Sequence, residues 1–153
     1  MSPHDTPTHR QRRARRRANT LIELVLTMVL IGIVAAIAVP SIRTMLDRLH
    51  VKGAEHDVVL GLWAARNAAS LRGDYASFIA NEGAGTVRVV TGGDTVFRRD
   101  ISASRGVKMT VTRDSITYAP TGIGWGAANT RIIVSRGKRA DTITTSRMGR
   151  VSF

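Results

Sequence analysis

An uncharged apolar run near the amino terminus constrains this chain more than any other feature. Residues 24–39 read LVLTMVLIGIVAAIAV, sixteen residues without a charge, and residues 19–23 lengthen the segment with a single ionisable group, Glu23. An α-helix rises about 1.5 Å per residue, so a helix of this length matches the roughly 30 Å hydrocarbon core of a bilayer. The run therefore predicts a membrane-spanning helix over residues 19–40.

A cluster of arginines precedes the apolar run. Residues 10–17 contain six arginines, and residues 1–18 carry a net charge of +5. Because arginines beside a membrane helix stay in the cytoplasm, the cluster predicts a cytoplasmic amino terminus and an extracytoplasmic carboxy-terminal part. A secretory signal peptide is disfavoured because the apolar run is longer than a usual h-region and Pro40 is not followed by a clear small-residue cleavage site. A twin-arginine signal is disfavoured because no matching hydrophobic pair directly follows the arginines.

Glu23 is the one charged residue in the apolar segment. An acid within hydrocarbon costs about 2.5 to 3.5 kcal/mol on insertion scales, so it commonly marks a functional position that has a partner. The simpler interpretation is that Glu23 lies near the cytoplasmic interface and its carboxylate reaches water. Its position alone leaves both interpretations open.

The residues around Glu23 resemble the amino-terminal cleavage and methylation signature of type IV pilins and type II secretion pseudopilins. ANTLIEL at residues 18–24 and IGIVAAIAVP at residues 31–40 carry the resemblance. It implies that prepilin peptidase, a membrane aspartic peptidase, cuts between Ala18 and Asn19 and then methylates the new amine of Asn19. The family usually has Gly at the first of these positions and Phe or Met at the second.

The same resemblance implies what the flanking residues do. The basic leader, residues 1–18, would be removed, and Glu23 would neutralise the free amine of a neighbouring subunit, which fixes the axial register of adjacent stems. Gly32 and Pro40 weaken the helix, so the segment between them could stretch on assembly, although a simple membrane-helix kink predicts the same features. The implied partners are the peptidase, other pilin or pseudopilin subunits and inner-membrane lipids, with a single-pass anchor in the bacterial inner membrane.

The rest of the sequence predicts an amphipathic helix and then β-structure. Apolar residues recur at helical spacing over residues 41–72, with charged residues such as Glu55 and Asp57 opposite, and Trp63 is predicted to anchor a core. From residue 73, glycines separate short β-branched runs. Strands are predicted over residues 75–80, 86–90, 95–99, 107–111, 115–118, 131–135, 141–145 and 150–153. The predicted fold class is α+β and pilin-like: a long amino-terminal helix packed on an antiparallel β-sheet head, residues 73–153.

Residues for catalysis or metal binding do not come together in the sequence. The chain has no cysteine, which excludes thiol catalysis, thiolate metal sites and disulfides. His50 and His56 are six residues apart, a spacing that does not place two imidazoles on one helical face. The glycine-rich residues 122–126 lack the Lys-Ser or Lys-Thr of a phosphate loop and are predicted to form a flexible loop. We therefore predict no enzymatic activity, metal or cofactor.

The carboxy-terminal residues carry a second resemblance. SITYAPTG at residues 115–122, RIIVS at 131–135 and TSRMGRV at 145–151 resemble the closing hairpins of the GspH/FimT branch, whose members end in a Gly-Arg motif. The implied function is that of a minor pseudopilin, a structural subunit of a type II secretion pseudopilus or a type IV pilus that takes part in protein secretion or pilus biogenesis.

The alternative function is a DNA receptor for natural transformation. Residues 98–153 carry a net charge of +8, and some members of this branch bind DNA through arginines of the terminal motif, although Ser152 replaces the second of these arginines here. The candidate contacts are Arg136, Lys138, Arg139, Arg147 and Arg150. Few aromatic residues accompany them, so we expect binding to the phosphate backbone without base stacking. A solvated basic face is the simpler interpretation.

Overall fold

A long helix is the first element of the fold. The computed structural model describes residues 9–126 and 128–153, with side chains from residue 20 onward. Helix α1 (His9–Arg72) has 64 residues and contains Pro40. It ends at Gly73, whose φ of 64° is left-handed and is tolerated there because glycine has no Cβ. The chain divides into two compact units, Met1–Arg43 and Thr44–Phe153.

The described part of the first unit exposes apolar side chains. Leu21 is 69% exposed and Ile37 is 72% exposed, and the large apolar residues between them are exposed as well. This part of α1 is long enough and apolar enough to cross a membrane. The hydroxyl of Thr27 donates to the carbonyl of Leu24 at 2.8 Å, so this polar side chain is satisfied within the helix.

The second unit combines the later part of α1 with two antiparallel sheets. The further elements are β1 (Ala76–Asn81), β2 (Thr86–Thr91), β3 (Asp94–Asp100), α2 (Ile101–Arg105), β4 (Lys108–Val111), β5 (Ser115–Tyr118), β6 (Gly124–Trp125), β7 (Thr130–Arg136), β8 (Arg139–Thr145) and β9 (Val151–Ser152). One sheet has the strand order β3-β2-β1-β5-β6 and the other has the order β4-β7-β8-β9. The predicted α+β class is confirmed. The strands form two sheets because β4 pairs with β7, so the chain leaves the first sheet after β3 and returns to it at β5.

The eight predicted strands are all present, with ends that differ by at most two residues. Two short elements were not predicted. Gly124 and Trp125 form β6, which pairs with Tyr118 and Thr117 of β5, so the expectation of a flexible loop was wrong at these two of the residues 122–126. Helix α2 begins where the carboxylate of Asp100 accepts a hydrogen bond from the backbone nitrogen of Ala103 at 2.9 Å.

The core of the second unit lies between α1 and the inner faces of the sheets. The helix contributes fully buried residues at helical spacing, and the strands contribute large buried side chains such as Phe78, Ile132 and Ile143. The α1 residues are Val51, Ala54, Val58, Leu62, Ala65 and Ala69. A Cβ atom at Gly61 would lie 2.8 Å from the ring of Phe78, so glycine lets the helix and the sheet approach closely here.

Three side chains of α1 lie opposite to their predicted faces. Trp63 is 56% exposed, so its prediction as a core anchor was wrong, because it follows the buried Leu62 by one residue and points away from the core. Glu55 and Asp57 are buried despite their charges. Each is held by a basic residue that the linear sequence did not identify: Lys52 lies 2.6 Å from Glu55 and Arg105 lies 3.1 Å from Asp57.

Candidate assembly and binding surfaces

Glu23 lies on the exposed surface of α1, within the apolar segment. Among the residues with described side chains, no lysine or arginine lies within 4 Å of its carboxylate. A charge on an apolar helix is costly in a membrane unless a partner neutralises it. Among the described side chains, Glu23 is therefore an exposed charge without a basic partner.

The predicted cleavage site lies in the same helix. The backbones of Ala18 and Asn19 are within α1, and their side chains lie outside the described part of the structure. Helix α1 continues through Gly32 and Pro40. A Cβ at Gly32 would have no described atom within 4 Å, so this glycine faces open space rather than a close neighbour in the chain. Stretching of the segment between Gly32 and Pro40 stays a prediction.

The five predicted basic residues divide into two groups at opposite ends of β8. Arg136, Lys138 and Arg139 belong to the hairpin between β7 and β8, where Arg136 pairs with Arg139. Arg147 and Arg150 lie in the turn between β8 and β9. Seven residues of strand place the two groups roughly 20 Å apart. They therefore do not form one continuous strip along the sheet.

Arg136 is engaged within the fold. Its Nε donates to Oδ1 of Asp47 in α1 at 2.9 Å, and its Nη1 donates to the carbonyl of Arg105 at 2.6 Å. Charge-assisted hydrogen bonds of this kind fix the hairpin against α1 and the end of α2. Lys138 and Arg139 are exposed and make no such contacts with the described residues.

The Gly-Arg motif forms a tight turn that contacts another loop. Gly149 has a φ of 74°, and a Cβ added to it would lie 2.9 Å from the carbonyl oxygen of Gly122. The backbone nitrogen of Gly149 donates to the carbonyl of Ser146 at 2.9 Å, which closes the turn. Both the backbone conformation and the close approach therefore favour glycine at this position. The turn leaves Arg147 and Arg150 exposed on the surface.

An exposed aromatic pair lies on the neighbouring segment. The rings of Tyr75 and Trp125 pack edge to face with centroids 5.3 Å apart, and Trp125 is 60% exposed. The residue before Trp125, Gly124, donates its backbone N–H to the carbonyl of Arg147 at 3.1 Å. Sequence reasoning missed this group, because it depends on β6 joining the sheet. A tryptophan in a glycine-rich stretch was the one available signal.

Acidic residues of the second unit mainly hold the fold together. Lys52 lies 2.6 Å from Glu55 and 3.2 Å from Asp141, and hydrogen bonds to these two carboxylates raise the pKa of Lys52 above its ordinary value of 10.5.

The two histidines of α1 differ in exposure: His50 is half-buried and His56 is exposed. Within the described residues, no group of three or more histidine or acidic side chains is arranged to hold a metal ion.

Comparisons with known proteins agree with this geometry. Residues 13–39 match the family model of the prokaryotic N-terminal methylation motif. The fold matches two crystal structures of the type IV minor pilin FimU from Pseudomonas aeruginosa. One has a TM-score of 0.59 and 12% identity over 71% of this chain and 90% of FimU. The other has a TM-score of 0.52 and 13% identity over 66% of this chain and 89% of FimU. No curated protein sequence matched the chain.

The two matches bear on different parts of the molecule. The motif covers the apolar segment and the arginines next to it, whereas the FimU match shows that the chain has the pilin fold, a long helix packed on antiparallel sheets. The chain therefore carries the prokaryotic N-terminal methylation motif at residues 13–39 and has a fold similar to that of a type IV minor pilin.

Proposed function

We propose that the chain is a minor pseudopilin, a non-enzymatic subunit that enters a type II secretion pseudopilus or a type IV pilus. The observation that supports this proposal most is that the Glu23 carboxylate is exposed on an apolar helix and has no basic partner among the described side chains. In a filament, the freed amine of a neighbouring subunit supplies that partner. Because both charges are costly in a low-dielectric bundle, their pairing favours one register between stems.

The proposal divides the chain into functional parts. Residues 1–18 are a leader that prepilin peptidase removes between Ala18 and Asn19, and Asn19 becomes the methylated terminus. Residues 19–40 anchor the chain once in the bacterial inner membrane, with the amino terminus in the cytoplasm. Residues 41–72 form the amphipathic helix, and residues 73–153 form an extracytoplasmic head of the GspH/FimT type. The Gly149 turn supports this branch, because its geometry favours the glycine of the Gly-Arg ending.

Cysteine cross-linking tests whether the chain enters a filament. The chain has no cysteine of its own, so a single substitution, Leu26→Cys, gives an unambiguous label on the exposed apolar surface of α1. We expect disulfide cross-links to pilin or pseudopilin stems that carry a matching cysteine, in cells with active prepilin peptidase. The matched control is Leu60→Cys, which lies in the part of α1 that belongs to the second unit. Equal cross-linking with active and inactive peptidase would contradict the proposal.

A second candidate function is DNA binding at the β8–β9 turn. Arg147 and Arg150 are exposed, and the backbone of Arg147 is bonded to the strand that carries the exposed Trp125. Single-strand-binding surfaces combine cations for the phosphates with aromatic rings for stacking, and both kinds of side chain are exposed on these two segments. Arg136 supports this function less, because Asp47 and the carbonyl of Arg105 already bind its guanidinium.

Substitutions at the turn test the DNA-binding candidate. We expect Arg147→Ala and Arg150→Ala each to weaken binding of a single-stranded oligonucleotide and to lower the salt dependence of its affinity, since each removes about one phosphate contact. Trp125→Ala should weaken binding roughly tenfold or more if bases stack on the ring. Lys138→Ala is the control at the other end of β8. Fluorescence anisotropy at several salt concentrations measures the oligonucleotide affinity of all four variants. If the unsubstituted chain does not bind the oligonucleotide at low salt, this function is ruled out.

A further inference from the structure

Two arginines face each other on the five-stranded sheet, away from the surfaces discussed above. Arg88 of β2 and Arg98 of β3 are directly opposite in the antiparallel register, and both are exposed. Side chains in directly opposite positions have Cβ atoms about 4.5 to 5.5 Å apart. Like charges in directly opposite positions destabilise a strand pair, and an anion bound between them offsets the repulsion.

Neither guanidinium is neutralised within the described part of the chain. Arg88 and Arg98 have no carboxylate within 4 Å among the described residues, a property that they share with other exposed arginines such as Arg147. The acid nearest in register, Asp100, lies opposite Thr86, two positions along each strand. Its carboxylate is already bound to the backbone nitrogen of Ala103 as the cap of α2.

Protection of the sheet edge accounts for only one of the two arginines. Strand β3 is the edge of its sheet, and a charged residue such as Arg98 discourages pairing with another chain. Strand β2 lies between β3 and β1, so Arg88 has no edge to protect. A pair of cations, one on an interior strand, is better explained by a ligand that contacts both.

The surface around the pair has further groups suited to an oxyanion. Arg88 and Arg98 line a cavity of about 590 Å³ together with Ile79, Asn81, Ala84, Thr86 and Thr95. Oδ1 of Asn81 accepts a hydrogen bond from the backbone of Ala84 at 2.8 Å, so its NH₂ group is left to donate. The cavity volume lies within the range typical of small-molecule sites and exceeds that of one phosphate.

We propose that this cavity is a phosphate site in which Arg88 and Arg98 hold a phosphoryl group and the Asn81 amide and the threonine hydroxyls complete its hydrogen bonds. Guanidinium groups match the oxygens of phosphate and of carboxylate as paired donors. Two facing guanidiniums suit a phosphoryl group better, because it carries more negative charge and more acceptor oxygens than a carboxylate. Ile79 and Ala84 give the cavity an apolar side, so the phosphoryl group is carried on an organic molecule, a phosphate ester.

Titration of the full-length chain in a non-ionic detergent tests the site. The probes are inorganic phosphate, glycerol 3-phosphate and deoxycytidine monophosphate at constant ionic strength, followed by NMR of the backbone amides of β2 and β3 and the Nε–H groups of Arg88 and Arg98. We expect saturable shifts at these positions, with both esters binding more tightly than inorganic phosphate. If glycerol 3-phosphate binds more tightly than the nucleotide, the phosphoryl group comes from a lipid headgroup. If the nucleotide binds more tightly, it comes from nucleic acid.

Matched substitutions separate a built site from general positive charge. Arg88→Gln and Arg98→Gln should each weaken binding roughly tenfold, because each removes charge-assisted hydrogen bonds. Arg88→Lys keeps the charge and should still weaken binding, since lysine lacks the planar fork. Arg113→Gln removes an exposed arginine elsewhere and should leave the affinity unchanged. Shifts that never saturate, or equal losses with Arg113→Gln, would overturn the proposal, while the Arg147→Ala result with DNA is independent of it.

Discussion

Glu23→Leu is expected to leave the chain in the membrane and to lower its incorporation into filaments roughly tenfold or more. The substitution removes a charge from the apolar segment, so insertion should be as favourable as before or more so. Under the proposed function, it also removes the partner of the neighbouring subunit's amine, which is then buried without compensation. Breaking one side of a buried charge pair commonly costs about 3 to 5 kcal/mol, more than enough for this loss. Membrane fractionation and quantitative blotting of purified filaments measure the two effects separately.

Thr27→Leu is the matched control for Glu23. It also replaces a polar residue by leucine in the same helix, one turn further along. The hydroxyl of Thr27 is bound to the carbonyl of Leu24 within its own helix, so its loss should not affect contacts between subunits. Incorporation should then stay near the wild-type level. Equal incorporation of the Glu23→Leu chain would show that the carboxylate does not direct assembly.

Leu62→Ala is expected to lower the free energy of unfolding of the second unit by about 2 to 5 kcal/mol. Leu62 is fully buried among the core residues that join α1 to the sheets. Its truncation removes apolar contacts and leaves a cavity. Because the helix and the sheet pack closely near Gly61, the neighbouring side chains have little room to move into this cavity. Urea denaturation followed by circular dichroism, in the same detergent for all variants, gives the difference.

Leu60→Ala is the control for this change. Leu60 is on the same helix, two residues away, and is 37% exposed. The same chemical truncation should therefore cost about 1 kcal/mol or less, because part of the side chain already contacts solvent. Similar losses for the two variants would contradict the packing of α1 described here.

Local patterns in the sequence were enough to predict most elements of the fold. The helix could be predicted because apolar residues recur at its period, and the strands because glycines and β-branched residues alternate. The pairing of β4 with β7 could not be predicted in this way. It joins segments that are distant in sequence, and these segments have the same alternating pattern as their neighbours. The small helix α2 was predictable from local signals, since Asp100 is a favoured residue at a helix start and Gly106 at a helix end.

The candidate surfaces were predictable only where they depend on contiguous residues. The signature around Glu23 is such a case, since the predicted cleavage site, the carboxylate and the apolar segment follow one another along the chain. The basic residues near the carboxy terminus were identified by charge. Their separation along β8, the engagement of Arg136 by Asp47 and the opposition of Arg88 and Arg98 all depend on strand register. Register is set by tertiary packing, which charge patterns do not report.

The mass of the amino-terminal peptide of the mature chain tests the central claim most directly. The chain should be isolated from membranes of cells with active prepilin peptidase, digested and analysed by mass spectrometry. We predict a peptide that begins at Asn19 with a methylated amine and lacks residues 1–18. A terminus that still begins at Met1, or one produced by cleavage after Ala38, would contradict the assignment as a processed filament subunit.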